Sequence, residues 1–574
     1  MKPSIDARRA GRPLRAPVCA ALLSFLPAMG MAQTPPAPPY GIGDAMKEAQ
    51  PRLPQRPPQK TPAPAIIQQE EAPLRMGKGE TLFVREFKLE GAEFIDQAEL
   101  QAQLEPYKGR ALTLSEIQEA AAKLTVLYRS RGYLVARAYV PRQDASKGTL
   151  VIRILVGKFG QFQLKNQSLV RGGLLQGVFD ALKSDQAVSQ AALERAMLLV
   201  GDMPGAQMPK LTISPGQAPG TSDFDVEVGA GPRADFHVLA DNQGSRYTGK
   251  NRLVAGLDLN SLLGAADKLS VQGLSSQDKG LLNGRLAYAF PLTAGGLRGE
   301  LAATRTTYEL GSDYKDLDAT GVARTLEGTL SYPLMRSREQ NLYLNLNFAA
   351  KRMRDEIGAY DMGIDKKAQV STLSLRREAW STLFGRSTYT NLDVGVSYGH
   401  LGIPDSAERA LNKSGADTVG NYARLNLAFT ASQELTKTLS ASATVSAQKA
   451  LMNKNLDTIE QMNISGPAGV KAYREVVSGD NGYLLNAELR YMLPAVGGLT
   501  QLIGVFADTG RVHLQQGDYS DINGQRLSDI GLGYYASYKS VVFQAQLARA
   551  VGPRGEAVAD QSKTRLLAQV SLLF

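Results

Sequence analysis

The 574-residue sequence carries one cysteine, three histidines and one tryptophan. A lone Cys19 excludes a disulfide framework, cysteine-rich zinc modules and thioredoxin-type redox pairs. His237, His400 and His513 are far apart in sequence, which argues against a histidine-rich metal centre. After residue 32 no apolar run is long enough for a membrane-spanning helix. A barrel of membrane-spanning strands is not excluded, because its lipid-facing residues are spread over alternate positions. Gly-x-Ser-x-Gly elbows, P-loops and His-Glu-x-x-His helices are missing, so no catalytic residue, cofactor or metal is expected. The basic residues are scattered rather than packed among aromatics, so no nucleic-acid partner is expected. What remains is 43% apolar and 21% charged, a composition for an ordered chain of two or more domains.

Residues 1–32 read as an export signal. Lys2, Arg8, Arg9, Arg12 and Arg15 precede the short apolar run Ala16–Met29, and Gly30-Met31-Ala32 offers small residues for cleavage. Removal would leave a mildly basic chain without cysteine, suited to an oxidising compartment. Residues 33–78 are rich in Pro, Gln and Ala, and stay extended as a linker. One stretch within them, Gly43 to Gln50, has room for a short helix.

From about residue 79 the texture becomes α/β. Phe83, Phe87 and Leu89 alternate as on a strand, and Thr113-Leu114-Ser115-Glu116 reads as a capping box opening a helix. Strands at Leu134–Val140 and Leu150–Val156 complete a module over 79–157. A similar order recurs over 158–231, with a helix face of Leu193, Ala196, Met197 and Val200. From 232 to 574 helical periodicity gives way to alternating runs, such as Leu342, Leu344, Leu346 and Phe348 separated by Tyr343, Asn345 and Asn347. Sixteen such runs lie between 234–243 and 564–574, and an even number lets a transmembrane antiparallel barrel close. The fold expected is therefore mainly β, a barrel preceded by two α/β modules. Arg376-Arg377 must then lie near a rim, and tyrosines such as Tyr308, Tyr332, Tyr360, Tyr389, Tyr483 and Tyr538 suit interfacial girdles. The last strand ends on alternate apolar residues including Val570, Leu572 and Phe574, the pattern of a barrel-assembly signal.

Several stretches together resemble the transporter of two-partner secretion (the TpsB family, of the haemolysin and filamentous-adhesin secretion type). Tyr128 to Tyr133, with Arg131-Gly132-Tyr133, and Tyr139 to Gln143, with Pro141 and Gln143, look like the family's first POTRA domain. Leu193 to Ala196, Asp202-Met203-Pro204-Gly205 and the segment from Pro215-Gly216 through Pro219-Gly220 to Ser222 look like its second. Asp241 to Gly249 resembles its first barrel hairpin. The family carries a Val-Arg-Gly-[Phe/Tyr] tetrad on a long loop folded into the lumen. Here that loop is expected over about 452–481, with Val470-Lys471-Ala472-Tyr473 in the tetrad's place. The family's Arg pairs with an Asp in a Phe-x-Asp-x-Gly context, which Phe506, Asp508 and Gly510 fit. Lys471 in place of Arg loses a bidentate fork, and Ala472 in place of Gly loses ready access to positive φ, so a weaker contact is expected.

The resemblance implies a Gram-negative outer-membrane pore with periplasmic POTRA domains that secretes, and in some members activates, one large partner exoprotein. The other implied partners are outer-membrane lipid and, during biogenesis, the barrel-assembly machinery. Residues 33–50 are expected to plug the resting pore, tethered by 51–73. An assembly insertase shares this plan, but usually with more POTRA modules, and a diffusion porin lacks them.

Overall fold

The computed structural model describes residues 40–50, 60, 62, 65–68 and 81–574, except 146, 186, 219, 521–522, 554–557 and 559–560. The export signal, most of the Pro-rich tether and Pro219 lie outside the described residues.

Two α/β modules share one topology. In the first, the strand Glu86–Glu90 runs parallel to Thr149–Leu155, whose other neighbour, Arg137–Tyr139, is antiparallel and forms the edge. Helices Gln97–Leu104 and Leu114–Ser130 cover one face of this sheet. The longer helix starts at the capping box: Thr113 Oγ1 accepts from Glu116 N, and the Glu116 carboxylate accepts from Thr113 N at 2.7 Å. Its buried stripe of Ile117, Ala121, Leu124 and Tyr128 meets Leu150, Ile152 and Phe87. The second module repeats the plan. Lys158–Asn166 is parallel to Thr221–Val228, Lys210–Pro215 is antiparallel beside it, and helices Gly172–Asp180 and Gln190–Gly201 pack on the sheet. Here the edge is covered. Ala65–Gln68, from the linker region, adds to Lys210–Pro215 in parallel, with Ile66 opposite Leu211 and Ile67 opposite Thr212.

The rest of the chain forms a closed antiparallel barrel of sixteen strands. The first, Ala234–Asp241, closes against the last, Thr564–Leu573, with Ala240 opposite Val570 and Val238 opposite Leu572. Phe574 N donates to Phe236 O at 2.9 Å, and the two rings stack 6.2 Å apart. Strands on one flank are long: Ala319–Arg336, Gln340–Ile357, Met362–Leu383 and Arg386–Gly402. Alternation sorts their side chains, so Leu326, Phe348 and Leu373 face outward while Ala323, Met353 and Val370 are buried inside. Arg376 pairs with Asp393 at 3.2 Å toward the end of these strands that faces the α/β modules.

The second module is clamped to the turns at that end. Arg336 grips Asp202 with Nε–Oδ2 at 2.7 Å and Nη2–Oδ1 at 2.8 Å. Arg195 donates to Pro333 O, and Arg171 to Leu263 O. Gly205, at φ 87°, sits so close to Ser261 and Leu169 that a Cβ would fall within 2.9 Å of both. It is a glycine because the chain there bends in the left-handed region against a neighbouring turn. This end therefore faces the modules, and the long loop 451–480 belongs to the opposite end.

Candidate functional site

The barrel lumen is occupied by two segments of the chain itself. The first is a helix, Ile42–Glu48. Ile42 and Ala45 of the helix, with the flanking Tyr40 and Ala49, are buried with Leu239, Val254 and Tyr308 of the inner wall and Tyr247 of the first hairpin connection. Polar contacts fix its two ends. Asp355 Oδ1 accepts from Ile42 N at 2.8 Å and from the Tyr308 hydroxyl at 2.7 Å. At the other end Arg252 Nη1 donates to Glu48 O at 2.9 Å while its Nε and Nη2 hold Asp241 at 2.9 and 3.0 Å. Ser245 N and the Tyr40 hydroxyl both donate to the Glu48 carboxylate. Burial pushes the carboxyl pKa of Glu48 up, partly opposed by the Arg252 charge. Tyr308 is thus a lumenal residue rather than part of an interfacial girdle. It shares the inward register with Thr306 and Thr304, while Arg305 and Ala303 face out.

The second segment is the loop from 451 to 480. Its first half is pinned to the wall by charge: Lys366 to Asp457 at 2.8 Å, Lys351 to Glu460 at 2.7 Å and Arg424 to Glu460 at 2.9 Å. Asp457 and Glu460 are almost fully buried, and their cations hold both carboxyls below their ordinary pKa despite the desolvation. Asp480 closes the base by accepting from Leu456 N, Gln461 Nε2 and Gln515 N. The loop and helix touch at Gly43, where a Cβ would collide with Thr458.

The loop tip carries Val470-Lys471-Ala472-Tyr473, the residues expected in the tetrad's place. Val470 N donates to Ile464 O and Tyr473 N to Val470 O, making a tight turn whose side chains Val470, Ala472 and Tyr473 are buried with Phe506, Leu527 and Leu567. Lys471 Nζ lies 2.8 Å from Asp508 Oδ2 and 4.5 Å from the Phe506 ring centroid. Asn486 supplies the other carboxylate oxygen of Asp508 with a donor at 2.7 Å. Phe506 finds room because Gly531, across the strand pair, has no Cβ: one there would stand 2.2 Å from the ring. Gly510 likewise leaves space for Ile464 of the loop.

The residues around Lys471 hold the turn through further contacts. Ala472 stays out of the left-handed region, so its Cβ is tolerated. Its N–H donates to Asp529 Oδ2 at 2.6 Å, on the strand next to that of Asp508. Arg565 donates to Tyr473 O at 3.0 Å, and Arg474 to Gly244 O at 2.7 Å. Asp529, Arg565, Arg252 and Asp355 were not singled out from the sequence. The available signal was a charged residue in the inward register of an amphipathic strand.

Of the residues expected at POTRA motif positions, Gly132 and Pro204-Gly205 lie at junctions and the others pack within the first module. Gly132, at φ 90°, ends the first module's long helix, and its carbonyl accepts from Gln190 N of the second module. Tyr133 packs on Tyr128 and Phe94. Arg131 pairs with Glu99. Gln143 closes the turn after Pro141 by bonding both N and O of Val151. Pro204-Gly205 form the contact with the barrel described above.

A closed sixteen-strand barrel, filled by its own helix and loop and carrying POTRA-type modules at one end, is the plan of an outer-membrane polypeptide transporter. The chain belongs to the haemolysin secretion/activation protein ShlB/FhaC/HecB family, whose model matches residues 220–534. A POTRA domain of ShlB type matches residues 82–157. Among relatives, the heme/hemopexin transporter protein HuxB of Haemophilus influenzae (strain 86-028NP) is 26% identical over 415 residues, 72% of each chain. The outer membrane transporter CdiB of Dickeya dadantii is 23% identical over 463 residues, 78% of this chain and 80% of that one. Among solved structures, CdiB from Escherichia coli superposes with a TM-score of 0.71 at 20% identity, covering 87% of this chain and 91% of that one. The protein is an outer-membrane transporter of the two-partner secretion type, with its POTRA modules in the periplasm, and it works with a secreted exoprotein. Members of this family are transporters rather than enzymes.

Proposed function

We propose that the described state is a resting pore, closed by the Ile42–Glu48 helix and held ready by the anchored loop tip. The observation that carries this reading is the buried helix whose ends are tied to opposite parts of the wall, by Asp355 at one end and Arg252 at the other. Transport then requires the helix to leave while the barrel stays intact. Lys471 and Asp508 anchor the loop tip so that the lumen keeps its shape as the helix moves.

The client arrives unfolded and offers extended segments. The edge of the second POTRA module suits β-augmentation, and there the linker strand Ala65–Gln68 already occupies the place a client strand would take. Displacement of that strand by client couples recognition to release of the helix, which lies seventeen or more residues upstream on the same chain. The polar inner wall then carries the backbone across without exposure to lipid. Folding outside gives direction, with no nucleotide needed. During biogenesis the barrel-assembly machinery reads the terminal pattern Val570, Leu572 and Phe574, and lipid contacts the apolar outer face. The client is one large exported exoprotein, best sought in the neighbouring open reading frame. The test is co-expression with that candidate: its appearance in the medium, lost on deletion of this transporter, supports the reading. Retention of the candidate in the periplasm with the transporter present would end it.

A further inference from the structure

On four adjacent barrel strands, four cations stand in direct cross-strand register: Arg305 opposite Arg324, Arg324 opposite Arg352, and Arg352 opposite Lys367. All four are exposed, and among the described residues none makes an ion pair. Like charges set directly opposite one another destabilise a sheet unless something neutralises them. The row beyond them shows the contrast, because there Arg354 is paired with Glu356 and with Asp365.

The four face the outside of the barrel. They share their faces with Leu301, Leu326, Phe348 and Leu373, which are 61, 65, 49 and 54% exposed, whereas the alternate residue Tyr308 is buried in the lumen. Their level can also be read. Along Gln340–Ile357 the outward residues from the periplasmic end are Leu342, Leu344, Leu346, Phe348 and Ala350, and then Arg352. That ten-residue span is about 33 Å along the strand, or about 25 Å along the membrane normal at a barrel's tilt. Arg352 therefore stands where the apolar band of its strand ends on the extracellular side, and the row slants with the strand tilt so that Arg305 lies deepest and Lys367 farthest out.

Beside Arg305 the outer wall is hollow. Gly284 lies opposite both Arg305 and Gly273, and a Cβ at Gly284 would meet nothing within 4 Å. The two glycines floor a groove of about 750 Å³ walled by Leu253, Leu257, Val271 and Leu282, and Arg305 stands at its lip. A hydrocarbon slot leading to a row of unneutralised guanidinium groups matches a ligand with an acyl chain and phosphates. Guanidinium forks hold phosphate bidentately, and the outer leaflet of a Gram-negative outer membrane is built from a phosphorylated, multiply acylated glycolipid.

We propose that Arg305, Arg324, Arg352 and Lys367, with the groove at Gly273 and Gly284, form a binding site for the phosphorylated glycolipid of the outer leaflet. Its phosphates neutralise the row and one acyl chain fills the groove. The proposal rests on the outer-membrane reading for which end of the barrel is extracellular.

The test uses the full chain in detergent, reading the unfolding midpoint of the heat-modifiable barrel during titration with bisphosphorylated lipid A, dephosphorylated lipid A or inorganic phosphate. Bisphosphorylated lipid A should raise the midpoint at concentrations about tenfold or more below the dephosphorylated form. The variant R305Q/R324Q/R352Q/K367Q should lose that preference, and Gly284→Leu should weaken both lipids. If the fourfold variant gives no folded band, the pairs R305Q/R324Q and R352Q/K367Q each report a partial loss. An unchanged preference in these variants overturns the proposal, as does inorganic phosphate reproducing the shift at matched phosphorus. Exoprotein secretion, measured separately in cells, reports on the transport reading and is unaffected by the outcome here.

Discussion

Lys471 and Asp508 meet in the lumen at 2.8 Å, with the Lys side chain 12% exposed and the Asp carboxylate not exposed at all. A carboxylate that has lost its water must be matched by charge and donors, and Asp508 has one of each, Lys471 and Asn486. Asp508→Ala should therefore take from the buried ammonium its 2.8 Å partner, leaving only the carboxyl of Asp529 on the neighbouring strand to face it. The expected cost to the docked loop is roughly 3–5 kcal/mol, seen as protease sensitivity within 451–480 and a fall in exoprotein secretion. The apolar pair Lys471→Met with Asp508→Leu should cost less than either single change, because no charge is stranded. Equal protection of the loop in Asp508→Ala and the unaltered protein would remove the anchoring role.

The helix in the lumen depends on a few polar contacts with the wall. Arg252 is 8% exposed and binds both Asp241 and the carbonyl of Glu48. Arg252→Ala strands the buried Asp241 and frees the helix end, a combined loss of about 2–5 kcal/mol. Asp355→Ala removes the acceptor of Ile42 N and Tyr308 at the other end. Planar-bilayer recordings should show more frequent and longer open events for both variants. Deletion of residues 40–50 should give the upper limit of conductance. Unchanged conductance in the deletion would mean the helix does not close the pore.

The clamp between POTRA module and barrel is a bidentate pair, Arg336 with Asp202. Arg336 is nearly buried while Asp202 is 41% exposed, so solvent screens part of the attraction. Arg336→Ala should cost about 1–2 kcal/mol at this junction. Hydrogen exchange should rise in the helix Gln190–Gly201 and at the strand end that follows Pro333, with the barrel still folded. Gly205→Ala should loosen the same junction by strain rather than charge, since its φ of 87° and the nearby Ser261 both exclude a Cβ.

Much of this architecture was legible in the primary structure because a barrel strand writes its own period. Leu342 to Phe348 announces an outward apolar row, and the Lys471–Asp508 contact expected from the resemblance is present at 2.8 Å. The contacts that complete the site were not legible. Asp529 serves the loop through the backbone N–H of Ala472, which no side-chain pattern encodes. Tyr308 suits an interface and a lumen equally well by residue type, and only the register places it inside. The cross-strand row of Arg305, Arg324, Arg352 and Lys367 is invisible along the chain, since its members are separated by 15 to 28 residues and meet only through sheet register.

The linker strand gives the sharpest test of the proposed coupling between client recognition and pore opening. Ala65–Gln68 occupies the edge of the second POTRA sheet, with Ile67 in register with Thr212. If a client strand must take that edge, a covalent lock on the linker should stop transport without altering the barrel. The only cysteine of the chain lies at position 19, so an Ile67→Cys/Thr212→Cys pair can be introduced against a clean background. Neighbouring strands bring Cα atoms within the range a disulfide spans. Oxidised cells should keep the exoprotein in the periplasm, and reduction should restore secretion, while each single cysteine variant secretes normally. Strand exchange requires the edge to be free, so secretion through the oxidised, locked protein would place client capture elsewhere on the modules.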